Sequence, residues 1–386
     1  MKTVTMYVWN NFINDARVYR EAKTLVDNGY SVVIIAKRDM DETHLPRIER
    51  PVKGMTVLRP IRRTFTKKYN QSILDKHLPN IWLMLRMMLV GWMRASDIYH
   101  AHDLNTLIQG VVSAKFRLNK KVLIYDSHEV QTSRTHYRAN LVKRVEGFLL
   151  RFVDKVIVEN ETRADYHEDL YNTRPVSIHN YSELYNIEEV QVIDFREMFD
   201  ISNDQVIVLY QGGIQSGRGL HLLIEAFSEV KGAALIMIGD GKERENMVAL
   251  RDELQLNNTV FFIDRVPYQT LRSYTKSADI GIQFLENTNF NHYSASSNKL
   301  FEYIMAEVPV IASSLPEIER VVVGEGIGLT IPPSDKQALI NALETLINDK
   351  DLRDTFKTKM NTAKRKYNWE VEQLRLLELY DSFAER

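Results

Sequence analysis

The chain has 386 residues, of which 44% are hydrophobic and 26% are charged, and its formal net charge at pH 7 is −1. This length exceeds what one hydrophobic core usually supports, so we expect a globular protein of two domains. The chain has no cysteine, which excludes disulfides, thiolate metal sites and cysteine nucleophiles and fits a cytoplasmic protein.

Charge is divided unevenly between the two halves. Residues 1–180 hold 29 Lys and Arg against 19 Asp and Glu, whereas residues 181–386 hold 21 against 32. A basic first half predicts a partner or surface that is anionic. The basic segment Arg59–Lys68 precedes an apolar helix at Ile81–Met93, a pairing that predicts a peripheral contact with an anionic membrane. The alternative is a solvated basic loop before a core helix.

Short β-rich runs alternate with helical periodicity along most of the chain. Strands are predicted at 4–8, 31–36, 57–58, 98–100, 122–125, 156–158 and 176–178, and then at 206–210, 234–238, 259–263, 280–284, 308–312 and 328–331. This alternation predicts α/β domains with parallel sheets covered by helices on both faces. The domains are expected at 1–180 and 204–367, with a hinge at 181–203 and a C-terminal helix, 368–386, that returns to the first domain.

Two polar motifs follow predicted strands of the first half. His102 should lie in the loop beyond the strand that ends at His100, and Asp126 and His128 follow the strand at 122–125. His100 and His102 have the spacing of a metal pair on one face of a strand. No third ligand cluster accompanies them, so we predict no metal site. Ser127 is not a hydrolase nucleophile, because no nucleophile-elbow glycines surround it.

Glycine-rich turns follow two strands of the second half. Gly212–Leu220, which contains Arg218, lies between a strand and a helix, and glycines there allow a ligand to approach the backbone. Gly239, Asp240 and Gly241 close the next strand. Alone, each turn is a weak signal, because loops need turns for structural reasons as well.

The segment Asn298–Ala306 is predicted to be a short helix before a buried strand. Ser294, Ser296 and Ser297 are small polar residues of the kind that cap helices, and a capped N-terminus favours anions. Lys299 adds a cation in the first turn, and Glu302 offers an acceptor one turn later. Together they indicate a nucleotide-sugar diphosphate site, although an ordinary capped helix would look the same.

Taken in order, these motifs resemble the retaining GT-B glycosyltransferases of family four, the glycosyl transferases group 1. The resemblance rests on Asn14–Val18, Asp97–His102, Tyr125–Glu129, Gly212–Leu220, Gly239–Gly241, Asn298–Ala306 with Pro309, and Tyr367–Glu370. It implies a GT-B architecture, in which two Rossmann-like β/α/β domains face each other across a cleft. It also implies transfer of a hexose with retention from a UDP- or GDP-sugar to an acceptor hydroxyl, without a metal or other cofactor.

The resemblance also implies roles for individual residues. His102, Arg218 and Glu302 are expected to be catalytic. The expected donor-binding residues are Gly213, Arg218, Gly239, Asp240, Val266, Ser297, Asn298, Lys299 and Glu302. The expected acceptor-binding residues are Asn14, Asp15, Arg17, Asp126 and His128. The acceptor is expected to be a glycan of bacterial surface polysaccharide or glycoconjugate synthesis, lipid-linked and used at the inner face of the membrane, and no nucleic acid is expected as a partner.

Two positions depart from the family pattern. Ser294 stands where many members carry a second glutamate eight residues before Glu302, and Gly213 stands where many carry an arginine. Two alternatives therefore stay open: a noncatalytic subunit that binds sugar nucleotides, and a sugar-nucleotide epimerase or hydrolase on the same fold.

Overall fold

The computed structural model describes residues 2–62, 73–134 and 137–383. It divides into two compact units, Met1–His179 with Gln373–Arg386, and Asn180–Glu372. Most of the predicted basic segment Arg59–Lys68, from Arg63 onward, lies outside the described residues. None of the helices within the described ranges has the length and apolar character needed to cross a bilayer.

The first unit is built on one eight-stranded sheet. Its strands are β1 (Thr3–Tyr7), β2 (Ser31–Ile35), β3 (Ile48–Glu49), β4 (Met55–Leu58), β5 (Ile98–His102), β6 (Val122–Ser127), β7 (Lys155–Val158) and β8 (Val176–Ser177). They pair in the order β3-β4-β2-β1-β5-β6-β7-β8, and all pairs are parallel except β3 with β4. The order reverses between β1 and β5, the point of an open parallel sheet where ligands bind.

Helices connect these strands. They are α1 (Ala16–Asp27), α2 (Ile73–Arg94), α3 (Leu104–Lys115), α4 (Ala139–Leu150) and α5 (Glu161–Tyr171). In α1, Val18, Ala22 and Leu25 are fully buried, which confirms the apolar face that their spacing predicts. The helix α1 ends at Asp27, and Gly29 follows with a positive φ of 86°.

The second unit contains a six-stranded parallel sheet. Its strands are β9 (Val206–Gln211), β10 (Ala233–Ile238), β11 (Val260–Ile263), β12 (Ile280–Gln283), β13 (Val310–Ser313) and β14 (Gly328–Ile331). The order β11-β10-β9-β12-β13-β14 is that of a dinucleotide-binding fold and reverses between β9 and β12. The predicted class, α/β with two Rossmann-like parallel-sheet domains, is confirmed.

The remaining helices cover the second sheet and close the chain. They are α6 (Phe195–Phe199), α7 (Leu220–Ala226), α8 (Arg244–Glu253), α9 (Tyr268–Lys276), α10 (Phe290–Tyr293), α11 (Asn298–Met305), α12 (Pro316–Glu325), α13 (Lys336–Asn348), α14 (Lys350–Ala363) and α15 (Trp369–Asp381). The last part of α15 belongs to the first unit, where the Tyr380 hydroxyl lies 2.9 Å from His100 Nδ1.

Two strands of the first unit extend past their predicted carboxyl ends. β5 continues to His102 and β6 continues to Ser127. The prediction that His102 lies in a loop was therefore wrong. Polar side chains at strand ends conceal the continuation, because a buried strand is recognised in sequence mainly by its apolar run.

Gly91 sets the distance between α2 and β1. A Cβ at this position would lie 1.6 Å from the Tyr7 hydroxyl, which is buried and 2.6 Å from Ser113 Oγ. We predict that Gly91→Ala lowers the free energy of unfolding by about 1–3 kcal/mol, because the helix must move away. Urea unfolding of both proteins measures the change.

Gly324→Ala is the matched control. Gly324 lies in α12, and a Cβ there would have no neighbour within 4 Å. Alanine forms helices more readily than glycine, so this variant should gain up to about 1 kcal/mol. Equal stability changes in the two variants would contradict the proposed packing at Gly91.

Candidate functional site

The loop after β9 approaches the loop after β10 through glycines. Gly212 has φ 130°, and Gly239 has φ 150°. A Cβ on Gly239 would lie 1.9 Å from the Gly212 carbonyl oxygen, and one on Gly241 would lie 2.1 Å from the carbonyl oxygen of Ile214. These glycines are required by backbone packing, which brings the end of β10 against the turn that begins at Gly212.

Lys299 is a buried cation beside this turn. Its side chain is 6% exposed, and Nζ lies 4.1 Å from the centre of the Tyr210 ring. A Cβ built on Gly212 would lie 3.7 Å from Nζ, so the amine reaches the backbone of the turn. Nζ has no hydrogen-bond partner among the described residues. Burial, and after it the charge of nearby Arg218, lowers the pKa of Lys299 well below its ordinary value.

The first turn of α11 has no side-chain cap from its N-cap residue. Ser297 is the N-cap residue, and within the described chain its side chain makes no capping hydrogen bond. The Ser294 hydroxyl instead donates to the Phe290 carbonyl oxygen at 2.7 Å. The Ser297 side chain therefore does not cap the helix, contrary to what a serine at this position suggests. The positive end of the helix dipole remains suited to an anion.

Glu302 is held in place by Gln211, a residue that the sequence analysis missed. Gln211 Nε2 donates to Glu302 Oε2 at 2.6 Å, and Gln211 Oε1 accepts from the Thr275 hydroxyl at 2.8 Å. One carboxylate oxygen of Glu302 therefore has a fixed donor. A buried, polar last residue of a strand at the switch point was the available signal.

The other predicted donor residues lie around the same edge of the sheet. The Tyr210 hydroxyl donates to the Gly213 carbonyl oxygen at 2.7 Å. Asp240 is exposed, and its carboxylate accepts from the next backbone amide at 2.7 Å. Val266 is half-buried against the hydrophobic core. Asn298 Oδ1 accepts from Asn180 Nδ2 at 2.9 Å.

In the first unit, Asp126 is the centre of a buried charge network. Arg17 Nη2 donates to Asp126 Oδ1 at 2.9 Å, and Arg17 Nε lies 3.0 Å from Glu21 Oε1. Burial opposes ionisation of Asp126, but Arg17 and His128 hold the pKa of this carboxyl well below its usual value. The structure thus brings the predicted residues Arg17, Asp126 and His128 together, with Arg17 buried.

His102 is stacked in the same network. Its ring lies 4.2 Å from that of His100, and its Nδ1 lies 3.0 Å from His128 Nε2. Burial alone would lower the pKa of His128, but Asp126 raises it to about 9. The same Nε2 of His128 lies 3.3 Å from Asp126 Oδ2, so a protonated His128 has both Asp126 and His102 within reach of its N–H.

Four groups of this network could hold a cation. Ligand atoms of Glu21, His100, His102 and Asp126 lie within 4.8 Å of one another. Imidazole and carboxylate suit a divalent transition metal. Arg17 contacts both carboxylates, so a metal would compete with existing ion pairs. The predicted absence of a metal stays a prediction.

Asp103, directly after His102, was not singled out from the sequence. Its backbone has φ 64° and ψ 161°, a conformation that residues other than glycine rarely adopt. Its carboxylate accepts from the His128 amide at 3.2 Å, from Gln131 Nε2 at 2.9 Å and from Arg134 Nη2 at 2.9 Å. Asp103 therefore ties the loop that carries His128 to the end of β5.

The remaining predicted acceptor residues precede α1. Asn14 is exposed. Asp15 is the N-cap of α1 and accepts from the Val18 amide at 3.2 Å and from Asn10 Nδ2 at 2.7 Å. The carboxylate of Asp15 thus orders the start of the helix that carries Arg17.

Comparison with known proteins identifies the second unit. Residues 192–363 match the family model described as "Glycosyl transferases group 1". The match covers 172 of the 386 residues, all of them within the second unit. The resemblance found in the motifs is thereby confirmed.

Two curated relatives match parts of the chain. The N-acetylgalactosamine-N,N'-diacetylbacillosaminyl-diphospho-undecaprenol 4-alpha-N-acetylgalactosaminyltransferase of Campylobacter jejuni is 23% identical over 42% of the chain and 42% of the relative. The capsular polysaccharide biosynthesis glycosyltransferase CapM of Staphylococcus aureus is 31% identical over 39% of the chain and 38% of the relative. The chain spans less than half the length of these relatives.

Solved structures share the fold over the whole chain. Sucrose-phosphate synthase from Thermosynechococcus elongatus is 18% identical, with a TM-score of 0.79 and 100% of both chains covered. HepE from Anabaena in complex with UDP is 17% identical, with a TM-score of 0.72, covering 99% of this chain and 100% of the other. The architecture is that of the GT-B glycosyltransferases.

The raised pKa of His128 predicts a pH-dependent stability. Between the unfolded value near 6.5 and the folded value of about 9, the folded state holds a proton that the unfolded state releases. Stability from this group is complete below pH 6.5 and is lost as the pH rises through 9, by about 3 kcal/mol at most. Urea unfolding from pH 6 to pH 9.5 measures the loss.

His128→Gln should remove most of this pH dependence. His44→Gln, at an exposed position of the same unit, should keep the wild-type profile. Identical profiles for the wild type and His128→Gln would show that Asp126 does not stabilise a cation at His128.

Proposed function

We propose that the chain is a retaining, metal-independent hexosyltransferase that moves a sugar from a nucleoside-diphosphate sugar to an acceptor hydroxyl. The reaction would serve bacterial surface polysaccharide or glycoconjugate synthesis. The observation that carries the proposal is Lys299, a buried amine without a hydrogen-bond partner among the described residues, beside Arg218 and the turn at Gly212. A buried amine without a carboxylate partner is stabilised by an anionic ligand.

The donor would bind to the second unit. Lys299, Arg218 and the backbone around Ser297 and Asn298 bind the diphosphate. Glu302 accepts from the ribose hydroxyls, in a geometry that Gln211 fixes. Two further loops would contact the nucleotide and the phosphates: the backbone at Val266 faces the base, and Gly213, Gly239 and Asp240 line the phosphate side. UDP, the ligand of HepE, is the first nucleotide to test, and GDP is the second.

The cations would act on the leaving group. As the bond between the anomeric carbon and the donor phosphate breaks, negative charge grows on the phosphate oxygen. Lys299, Arg218 and the N-terminus of α11 stabilise this charge. The same oxygen accepts the proton of the acceptor hydroxyl, whose oxygen bonds to the anomeric carbon on the face that the phosphate leaves. The configuration is therefore retained.

The acceptor would be bound by the first unit. His128, held cationic by Asp126, suits a phosphate or another anion of the acceptor. Asn14 is exposed for contact, and Asp15 and Arg17 order the loop that carries it. His102 would contact the transferred sugar. The Campylobacter relative is named for a diphospho-undecaprenol substrate, which supports a lipid-linked acceptor at the cytoplasmic face of a membrane.

Lys299→Met tests the diphosphate site directly. A charge-assisted hydrogen bond contributes about 1.5–3 kcal/mol, so UDP should bind about ten- to a hundredfold more weakly at pH 7. GDP replaces UDP if thermal shifts show that GDP stabilises the protein more.

Lys231→Met is the control, since Lys231 is exposed on the same unit. It should bind UDP as the wild type does. Unchanged affinity in Lys299→Met would remove Lys299 from the donor site.

Arg218→Ala tests catalysis. If Arg218 stabilises the leaving group, kcat should fall by about 10²–10³-fold, with the donor still bound. The assay supplies UDP- or GDP-hexose and a lipid extract with polyprenyl-linked glycans, follows nucleoside diphosphate release, and reads the anomeric configuration of the product by NMR. An inverted product would refute retention.

Two other outcomes would refute transfer itself. Donor binding without nucleoside diphosphate release across a broad acceptor panel would indicate a binding subunit. A changed donor sugar in the absence of acceptor would indicate an epimerase.

A further inference from the structure

Helix α2 carries exposed apolar side chains along one face. Leu83 and Met87 are buried against the first unit. The opposite side of α2 forms an exposed apolar stripe of Leu78, Ile81, Trp82, Leu85, Leu89, Trp92 and Met93. Most of these positions follow a spacing of three or four residues, so the stripe runs along one side of a helix about 33 Å long.

A second apolar surface lies at the C-terminal ends of α2, α3 and α4. α3 packs against both other helices. The rings of Phe116 and Phe148 each lie near that of Phe152, with centres 6.4 Å and 5.7 Å away, and the Trp92 indole donates to the Phe116 carbonyl oxygen at 3.1 Å. Leu118 next to them is 103% exposed. We name Trp92, Phe116, Leu118 and Phe148 the aromatic tip.

Basic residues outnumber acidic ones around both surfaces, although Asp154 pairs with Lys115 and Asp97 pairs with Lys121. Residues 77–94, 104–121 and 138–151 contain ten Lys and Arg and one acidic residue, Glu146. Glu146 is 3% exposed and accepts from two tyrosine hydroxyls, so it does not offset the surface charge. Arg117 lies 5.8 Å from the Trp92 ring centre and Arg151 lies 5.9 Å from that of Phe148.

The side of α4 adds a basic depression to the aromatic tip. This depression has a volume of about 630 Å³ and is lined in part by Lys143, Arg144, Phe148 and Arg151. Leu141 and Val145 are exposed on the same helix. A concave basic surface beside an exposed ring suits a lipid phosphate with its acyl chains alongside.

We propose that the apolar stripe and the aromatic tip form a docking surface for an anionic phospholipid bilayer. Tryptophan and phenylalanine partition into the membrane interface, and arginine and lysine contact anionic headgroups. The charge argues against a second copy of this chain, because a symmetric pair would bring two basic faces together. The inference rests on the proposed function for its purpose, the use of a lipid-linked acceptor, and it extends the predicted contact at Ile81–Met93 to α3 and α4.

Binding of the full chain to vesicles tests this surface without any turnover. Vesicles of phosphatidylcholine alone and of phosphatidylcholine with 30% phosphatidylglycerol are sedimented with the protein at low and at physiological salt. We expect the protein to sediment with the anionic vesicles, more weakly as salt rises, and to stay in solution with neutral ones. Equal binding to both kinds, or to neither, would overturn the proposal.

Two sets of variants locate the contact. Leu89→Ser with Leu118→Ser and Phe148→Ser removes apolar side chains that are exposed, and Lys143→Glu with Arg144→Glu reverses two charges. Each set should lower the apparent affinity for anionic vesicles by about tenfold or more. The controls are Met198→Ser with Val323→Ser, and Lys231→Glu with Lys350→Glu, all on the second unit, and they should bind as the wild type does. An equal loss in the controls would overturn the assignment.

Two further measurements separate the alternatives. Sedimentation velocity should give a monomer in every variant, and a wild-type dimer that the apolar set dissociates would assign the surface to self-association. UDP binding by the same variants should stay unchanged. Vesicle binding that fails while UDP binding and transfer to a detergent-solubilised acceptor persist refutes the docking surface alone, whereas absent transfer with intact vesicle binding refutes the proposed function alone.

Discussion

The second unit depends on a positive charge that the fold buries without a hydrogen-bond partner among the described residues. Lys299 packs its amine over the Tyr210 ring and against the turn at Gly212. Burial lowers the pKa of Lys299, which means that its surroundings in the folded protein disfavour the charged form of the amine. Structural lysines usually snorkel to solvent. The arrangement is reasonable if an anion completes it, and the neighbouring helix N-terminus and Arg218 point to the same requirement.

In the first unit, by contrast, the buried charge is a carboxylate that has cationic partners within the protein. Asp126 is a buried carboxylate, but Arg17 and His128 supply its counter-charges, so this network is balanced before any ligand arrives. Its uncommon backbone feature is Asp103, whose positive φ places the loop of His128 against the end of β5. An internally compensated network is suited to holding side chains in fixed positions. The two units thus differ in chemistry although both are parallel sheets with a switch point.

The sequence predicted the order of strands and helices well, because buried parallel strands are short apolar runs and their helices have a clear periodicity. Local pattern also identified Lys299, Arg218 and Asp126. It could not identify Gln211 or Asp103, whose importance arises from partners distant in the chain or from a backbone conformation. It placed His102 in the loop after β5, although the strand includes this residue, because the strand ends in polar residues. The Ser297 side chain does not make the cap that a serine at a helix N-terminus suggests, since a serine hydroxyl can also bond to other nearby groups.

The chain path of the first unit has a consequence for synthesis. Gln373–Arg386 belongs to this unit, and the Tyr380 hydroxyl reaches His100 in its central sheet. The first 372 residues of this sequence are therefore synthesised before the segment that completes the first unit. During translation the second unit can fold first. The part of the first unit that is made earlier still lacks the helix that completes its packing. Chaperones should consequently bind nascent chains that are stalled before residue 373.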